Sequence, residues 1–193
     1  MSSTQIKSIR AAVLQQRRVL SPRFILDASR SAAARIDTLP DIQNALCIAA
    51  YFAFDNEIDP QPIVQTAIDS GKAVYMPVLG AGKHLHFAPY TPGTELTMNR
   101  YNIPEPRCPD DALLPVDEMD VLIIPMACFD KNCYRVGMGA GYYDRTLAHV
   151  SSRQPKKIGL AYEIQRVDSI EPQPWDIPMD MVVTEQRIYY RDS

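Results

Sequence analysis

Histidine, glycine and tryptophan are scarce in this chain: three, eight and one among 193 residues. Cysteine occurs four times, as Cys47, Cys108, Cys128 and Cys133, and never as a C-x-x-C pair. A structural zinc site wants closer pairs or a histidine cluster, and His84, His86 and His149 supply none. The four thiols therefore read as reduced cysteines of a cytosolic protein. His84 and His86 alternate along an expected strand, but no third metal ligand accompanies them. Long apolar runs are missing too. Leu46 to Phe54 reaches only about half the length of a membrane helix, and Met1 to Arg10 has no apolar segment or cleavage pattern of an export signal. Charge of one sign is lacking: Lys plus Arg total 20 against 23 Asp plus Glu, a net −3. That balance argues against a nucleic-acid partner held by bulk electrostatics. With 46% hydrophobic residues, the chain can bury a core without metal or disulfide staples.

What is present is an alternation of helix and strand patterns. Thr4 to Leu20 places Ile6, Ile9, Val13 and Leu20 on one helical face, with Lys7, Arg10 and Arg17 on a stripe at its edge. Taken alone, that stripe reads as a solvated face. Ser21-Pro22 suits the start of a second helix running to about Arg35. Leu46 to Phe54 fits a strand buried on both sides. A helix opened by Asp59-Pro60 and closed by Gly71 follows, then a second buried strand, Ala73 to Leu79. Strand, helix and strand in this span make a βαβ unit and imply a parallel sheet. Gly80 to Lys83 reads as a hairpin turn into Leu85 to Tyr90, and proline-rich Thr91 to Pro115 as irregular loop. Further strands are expected at Asp120–Met126, Lys157–Tyr162 and Met181–Thr184, with a short helix at Gly141–Val150. The fold class is α/β: three layers, α/β/α, around a mostly parallel sheet, with ligands expected beyond the carboxyl ends of strands.

Three of the eight glycines fall within five residues, Gly137, Gly139 and Gly141, inside Arg135-Val136-Gly137-Met138-Gly139-Ala140-Gly141-Tyr142-Tyr143-Asp144-Arg145. Alternating glycines let backbone N–H groups turn toward an anion ahead of a helix N-terminus. Arg135 and Arg145 flank the loop with donors suited to phosphate oxygens. The spacing is neither a Walker loop nor a Rossmann fingerprint. A bare G-x-G-x-G is also compatible with a tight turn.

The segment R-V-G-M-G-A-G-Y-Y-D-R resembles the signature of the 5-formyltetrahydrofolate cyclo-ligase family, also called 5,10-methenyltetrahydrofolate synthetases. The likeness extends through the Lys7/Arg10 helix and Leu20-Ser21, Asp55 to Asp59, Lys72 to Leu79, Asn102 to Pro106, Gly159 to Tyr162 and Asp176 to Asp180. It implies one cyclo-ligase domain over residues 1–193, with a fold similar to sugar-phosphate isomerases and CoA transferases. The implied reaction is the ATP- and Mg²⁺-dependent cyclisation of 5-formyltetrahydrofolate to 5,10-methenyltetrahydrofolate, in a cytoplasmic monomer with no membrane or nucleic-acid partner. Carried over by residue, the resemblance implies that Lys7, Arg10 and Arg135, Val136, Gly137, Met138, Gly139, Ala140, Gly141, Tyr142 and Tyr143 bind ATP. Arg135, Tyr143 and Arg145 would act at the transferring phosphoryl group. Phe52, Glu57 and Tyr101 would bind folate, and Asp144 and Asp180 would ligate magnesium. Two departures stand out. Lys7 is three rather than four residues before Arg10, and Tyr101 replaces a tryptophan common in the family. A phosphosugar isomerase-like enzyme and a non-catalytic nucleotide- or folate-binding module are the alternative readings.

Overall fold

The structure, a computed structural model, describes residues 3–148, 150 and 155–191. His149 lies outside the described residues. In chain order the helices are α1 (Ser3–Arg18), α2 (Pro22–Ile36), α3 (Pro40–Asn44), α4 (Gln61–Asp69) and α5 (Tyr142–Leu147). The strands are β1 (Cys47–Ala49), β2 (Ala73–Leu79), β3 (Leu85–Pro89), β4 (Leu96–Met98), β5 (Pro104–Pro106), β6 (Val121–Pro125), β7 (Cys128–Phe129), β8 (Arg135–Val136), β9 (Lys156–Leu160), β10 (Met181–Val183) and β11 (Ile188–Tyr190).

Seven strands form the central sheet in the order β11-β10-β9-β6-β1-β2-β3. Five run parallel, while β3 and β11 pair antiparallel with β2 and β10 at the two edges. Alternate side chains serve opposite faces, as a pleated strand requires. Ile48, Val121, Ile123 and Ile158 pack under α2, α3 and α4, whereas Ala49, Leu122, Ile124 and Val182 face α5 and the loops around Met119 and Met179. The second layer is thus thin, one short helix eked out by loops.

Local chemistry sets the element ends. The Ser21 side chain accepts from the Phe24 N–H to cap α2, with Pro22 in the first turn. Gly71 takes φ +74° just after α4. Ala73–Leu79 forms as the pattern predicts. The run Leu46–Phe54 does not: β1 is only three residues long. The Ala50 N–H still bonds the Tyr75 carbonyl, after which the chain leaves the sheet and Tyr51, Phe52 and Phe54 wall a cavity instead. Thr91–Pro115 is less irregular than its prolines suggest, because β4 and β5 form a small antiparallel hairpin. On α1, Ile6, Ile9 and Val13 pack against Cys128, Val136 and Ile170, which seats that helix on the β7–β8 hairpin.

Candidate active site

Strand order reverses beside β1: β2 lies on one side and β6 on the other, with β9 and β10 beyond. A crevice opens outside the carboxyl ends of strands that diverge in this way. Here it is a cavity of about 320 Å³. Tyr51, Phe52, Phe54 and Glu57 line it from beyond β1, and Pro125 from the end of β6. Tyr101 and Ile103 close one side, and Arg135, Gly137, Met138, Ala140, Gly141, Tyr142, Tyr143 and Asp144 the other. The residues read as folate-binding and most of the glycine loop therefore face a single space.

The loop is shaped by its glycines. Gly139 and Gly141 take φ of +101° and +73°, conformations that L side chains rarely adopt. A Cβ on Gly139 would stand 3.0 Å from Arg10 Nη1, so α1 presses its guanidinium against the loop backbone. Gly137 has open space where its Cβ would be. Helix α5 is only six residues long, so charged side chains rather than a helix dipole dominate the local field. Arg135 is buried, donating from Nη1 to the Ile177 carbonyl at 2.6 Å and from Nη2 to Asp144 Oδ1 at 2.7 Å.

At the other end, Glu57 is 8% exposed. Burial pushes its carboxyl up to about 7, against the opposing pull of Arg17 and the Phe54 N–H. Burial and the Glu57 charge push the Tyr143 phenol well above its ordinary value, so Tyr143 is a hydrogen-bond donor at neutral pH. Phe52 meets Tyr90 edge-on at 5.6 Å. Tyr101 meets Tyr142 edge-on at 6.1 Å, with Arg100 Cζ 5.2 Å from the Tyr101 ring centre.

Known proteins bear on this site. Residues 2–185 match the 5-formyltetrahydrofolate cyclo-ligase family. The 5-formyltetrahydrofolate cyclo-ligase of Escherichia coli (strain K12) is 38% identical over 180 residues, covering 92% of this chain and 98% of that protein. The Haemophilus influenzae protein of the same name is 37% identical over 180 residues, 91% of each. The NMR structure of Aquifex aeolicus 5,10-methenyltetrahydrofolate synthetase superposes with a TM-score of 0.83 at 27% identity, covering 97% of this chain and 94% of that one. This chain belongs to the 5-formyltetrahydrofolate cyclo-ligase family. A phosphosugar isomerase and a bare binding module are not favoured by that membership.

Two expectations drawn from the cyclo-ligase pattern, for Asp180 and Arg145, meet a different geometry. Asp180 does not stand beside Asp144. It lies at the amino end of β10, where its Oδ2 accepts from the Lys157 N–H at 2.7 Å and pairs with Lys157 Nζ at 3.0 Å. Through the register Met181↔Ile158 and Pro125↔Leu160, that is about three residues, or roughly 10 Å, back along the sheet from the cavity rim. Arg145 is exposed and donates from Nη1 to the Ala140 and Gly141 carbonyls at 2.9 and 3.0 Å. It holds the loop rather than pointing into the cavity. Lys7 is exposed on α1, one turn before Arg10.

No group of three or more His, Cys, Asp or Glu gathers as a metal cage among the described residues. The donor set fits a magnesium ion arriving with a nucleotide, held by phosphate oxygens, water and one carboxylate, that of Asp144. Sequence reading missed Arg17, which is fully buried 3.7 Å from Glu57. It also missed the tether at Glu105, whose Oε1 accepts from the Leu79 N–H and from Asn99 Nδ2. Among the described residues, no helix is long and apolar enough to cross a membrane.

Proposed function

We propose that the protein converts 5-formyltetrahydrofolate to 5,10-methenyltetrahydrofolate with ATP, releasing ADP and phosphate. One observation carries this reading: the glycine loop and the Phe52/Glu57/Tyr101 group face each other across one cavity at the point where strand order reverses. A formamide oxygen is a poor leaving group and phosphate a far better one. In the reaction the formyl oxygen takes the γ-phosphoryl group as the bond to ADP breaks. N10 then attacks the formyl carbon and loses its proton, and the carbon–oxygen bond breaks with both electrons leaving on phosphate.

Loop N–H groups, Arg10 and Arg135 bind the phosphates and align the γ-phosphoryl group, leaving little covalent chemistry to the protein. Tyr143 offers a proton-bearing hydroxyl between loop and folate. Glu57, in its ionised form, accepts hydrogen bonds from pterin N–H groups, and Phe52 and Tyr101 exclude water from the reacting centre. Arg145 keeps the loop in shape. Magnesium, bound at Asp144 with the nucleotide, would neutralise charge on the transferring group.

The test is incubation with 5-formyltetrahydrofolate, ATP and Mg²⁺ while methenyl product and ADP are followed together. One ADP should form per methenyltetrahydrofolate, and leaving out either substrate should stop both. Product formed without ATP consumption rules the reading out.

A further inference from the structure

The last turn of α1 reaches the cavity from behind. Arg17 is 0% exposed, and its Nε donates to the Asp55 carbonyl at 2.9 Å. Nη1 stands 3.7 Å from Glu57 Oε1 and Nη2 stands 3.7 Å from Asp55 Oδ2, and neither nitrogen has a hydrogen-bond partner among the described residues. Buried donors are almost always satisfied. Two open ones, aimed at carboxylates with one of these in a substrate cavity, are a poor device for stability. The Asp55 carboxylate is already gripped by Arg18, from Nε at 3.1 Å and from Nη2 at 3.0 Å. Asn56 Nδ2 ties the same turn to the Arg18 carbonyl at 3.2 Å.

This turn is unusual in itself. Asp55 and Asn56 take φ of +50° and +57° in succession, a left-handed pair that non-glycine residues hold only when their surroundings impose it. It folds the chain back so that Glu57 Oε2 accepts from the Phe54 N–H at 3.1 Å. Besides burial, Arg17 from α1, the Phe54 N–H and Asp55 from its own turn act on Glu57. The Glu57 charge in turn adds to burial in raising the phenols of Tyr51 from beyond β1, Tyr143 from α5 and Tyr162 from beyond β9. Arg17 is the cation in that set, and a guanidinium keeps its charge at every working pH.

We propose that Arg17 is a positioning residue for Glu57, aiming its carboxylate into the cavity and favouring the anion, so that α1 sets the pH range over which folate is bound. The inference rests on the reading of Glu57 as a folate-binding group. At 3.7 Å the attraction acts without a hydrogen bond, so Oε1, the oxygen that the Phe54 N–H does not use, stays available to a ligand. Arginine at this position thus favours the charge without occupying the acceptor.

The experiment compares wild type with Arg17→Met and Arg17→Lys, following kcat/KM for 5-formyltetrahydrofolate from acid to alkaline pH, with KM for ATP alongside. Glu57 titration is read independently by ¹³C NMR of glutamate-labelled protein, with Glu57→Gln to assign the signal. In wild type, kcat/KM should rise with pH through the Glu57 titration near 7. In Arg17→Met that limb and the NMR titration should move together to higher pH by about one unit. The ionised fraction at pH 7 then falls from about one half to about one tenth, a loss of about fivefold. Activity should largely recover at alkaline pH, and KM for ATP should stay as in wild type. Arg17→Lys should shift less and in the same direction. If the methionine variant does not fold, the lysine variant decides. Unmoved limbs and NMR titrations, with only a uniform fall in kcat, overturn the proposal. The NMR arm needs no turnover, so a wild type inactive on folate would remove the functional reading while leaving Glu57's dependence on Arg17 separately measured.

Discussion

Arg135 Nη2 and Asp144 Oδ1 meet at 2.7 Å across the two ends of the glycine loop, closing it into a ring. The cation that suits a phosphate and the carboxylate that suits a metal neutralise each other in the protein alone. A nucleotide carrying its own cation offers each a new partner of matching charge, so binding can exchange the contact without stranding a buried ion.

That arrangement separates the two aspartates. Asp144→Asn should stay folded, require more Mg²⁺ at fixed ATP, and turn over at least tenfold more slowly, about 1.4 kcal/mol in the barrier. Asp180→Asn should leave the Mg²⁺ dependence unchanged and cost about 1 kcal/mol of stability through its Lys157 contacts. Initial rates against Mg²⁺, together with thermal unfolding, check both. Equal Mg²⁺ shifts in the two variants would place Asp180 at the metal after all.

Gly139→Ala tests how closely α1 meets the loop. The new methyl group would have to accept φ +101° and a contact at 3.0 Å with Arg10 Nη1. A strain of about 1–2 kcal/mol should appear as roughly a tenfold rise in KM for ATP, with KM for folate little changed. Separate titration of the two substrates reads this directly.

For Tyr101 the ring is the expected larger contributor, since it meets Tyr142 edge-on and packs against Arg100, while its hydroxyl hydrogen-bonds with the same two side chains on the wall rather than with the rest of the cavity. Tyr101→Phe should keep most activity. Tyr101→Ala should lose at least about 1 kcal/mol of transition-state binding, roughly fivefold in kcat/KM. Wild-type efficiency in the alanine variant would remove this side chain from the site.

Glu57 gives the protein a pH signature. Its carboxyl, pushed up to about 7 by burial, lies above the ordinary value of 4.5 that it has in the unfolded chain. The folded protein therefore holds this proton more tightly than the unfolded chain. The stabilisation is fully present below about 4.5 and is lost as pH rises through 7. Relative to Glu57→Gln, wild type should lose about 2–3 kcal/mol between pH 4 and pH 8, whatever fixed offset the substitution brings. Chemical denaturation of both proteins at the two pH values measures it, and a constant difference would contradict it.

How far the sequence carried can be seen residue by residue. Caps and glycines are local chemistry, so Ser21, Pro22 and Gly71 mark helix ends without any tertiary information. The β2 run and the glycine loop were equally plain. Arg17 was not, because helical periodicity placed it on a basic stripe at the edge of the apolar face of α1, which reads as solvated, and gave no hint that the 55–57 turn would cover it. Asp180 shows the converse. An aspartate before a strand looks the same whether it meets a metal or a lysine, and only the register with Lys157 distinguishes them. Leu46–Phe54 has the composition of a strand throughout, yet its second half is apolar because it walls a cavity. Apolar composition records burial and not which surface does the burying.

The β4–β5 hairpin that brings Tyr101 to the cavity stands outside the central sheet. Each strand is three residues long, β4 is exposed along its length, and Glu105 fastens the pair to the end of β2. Such a unit can open on its own at a small fraction of the free energy that separates the sheet strands. Its amides should exchange with solvent well before those of β6 and β9. The aromatic wall thus hangs on few fastenings, Glu105 at the end of β2 and the contacts of Arg100 and Tyr101 with Tyr142, so it can part for a rigid tricyclic product while the frame stays shut.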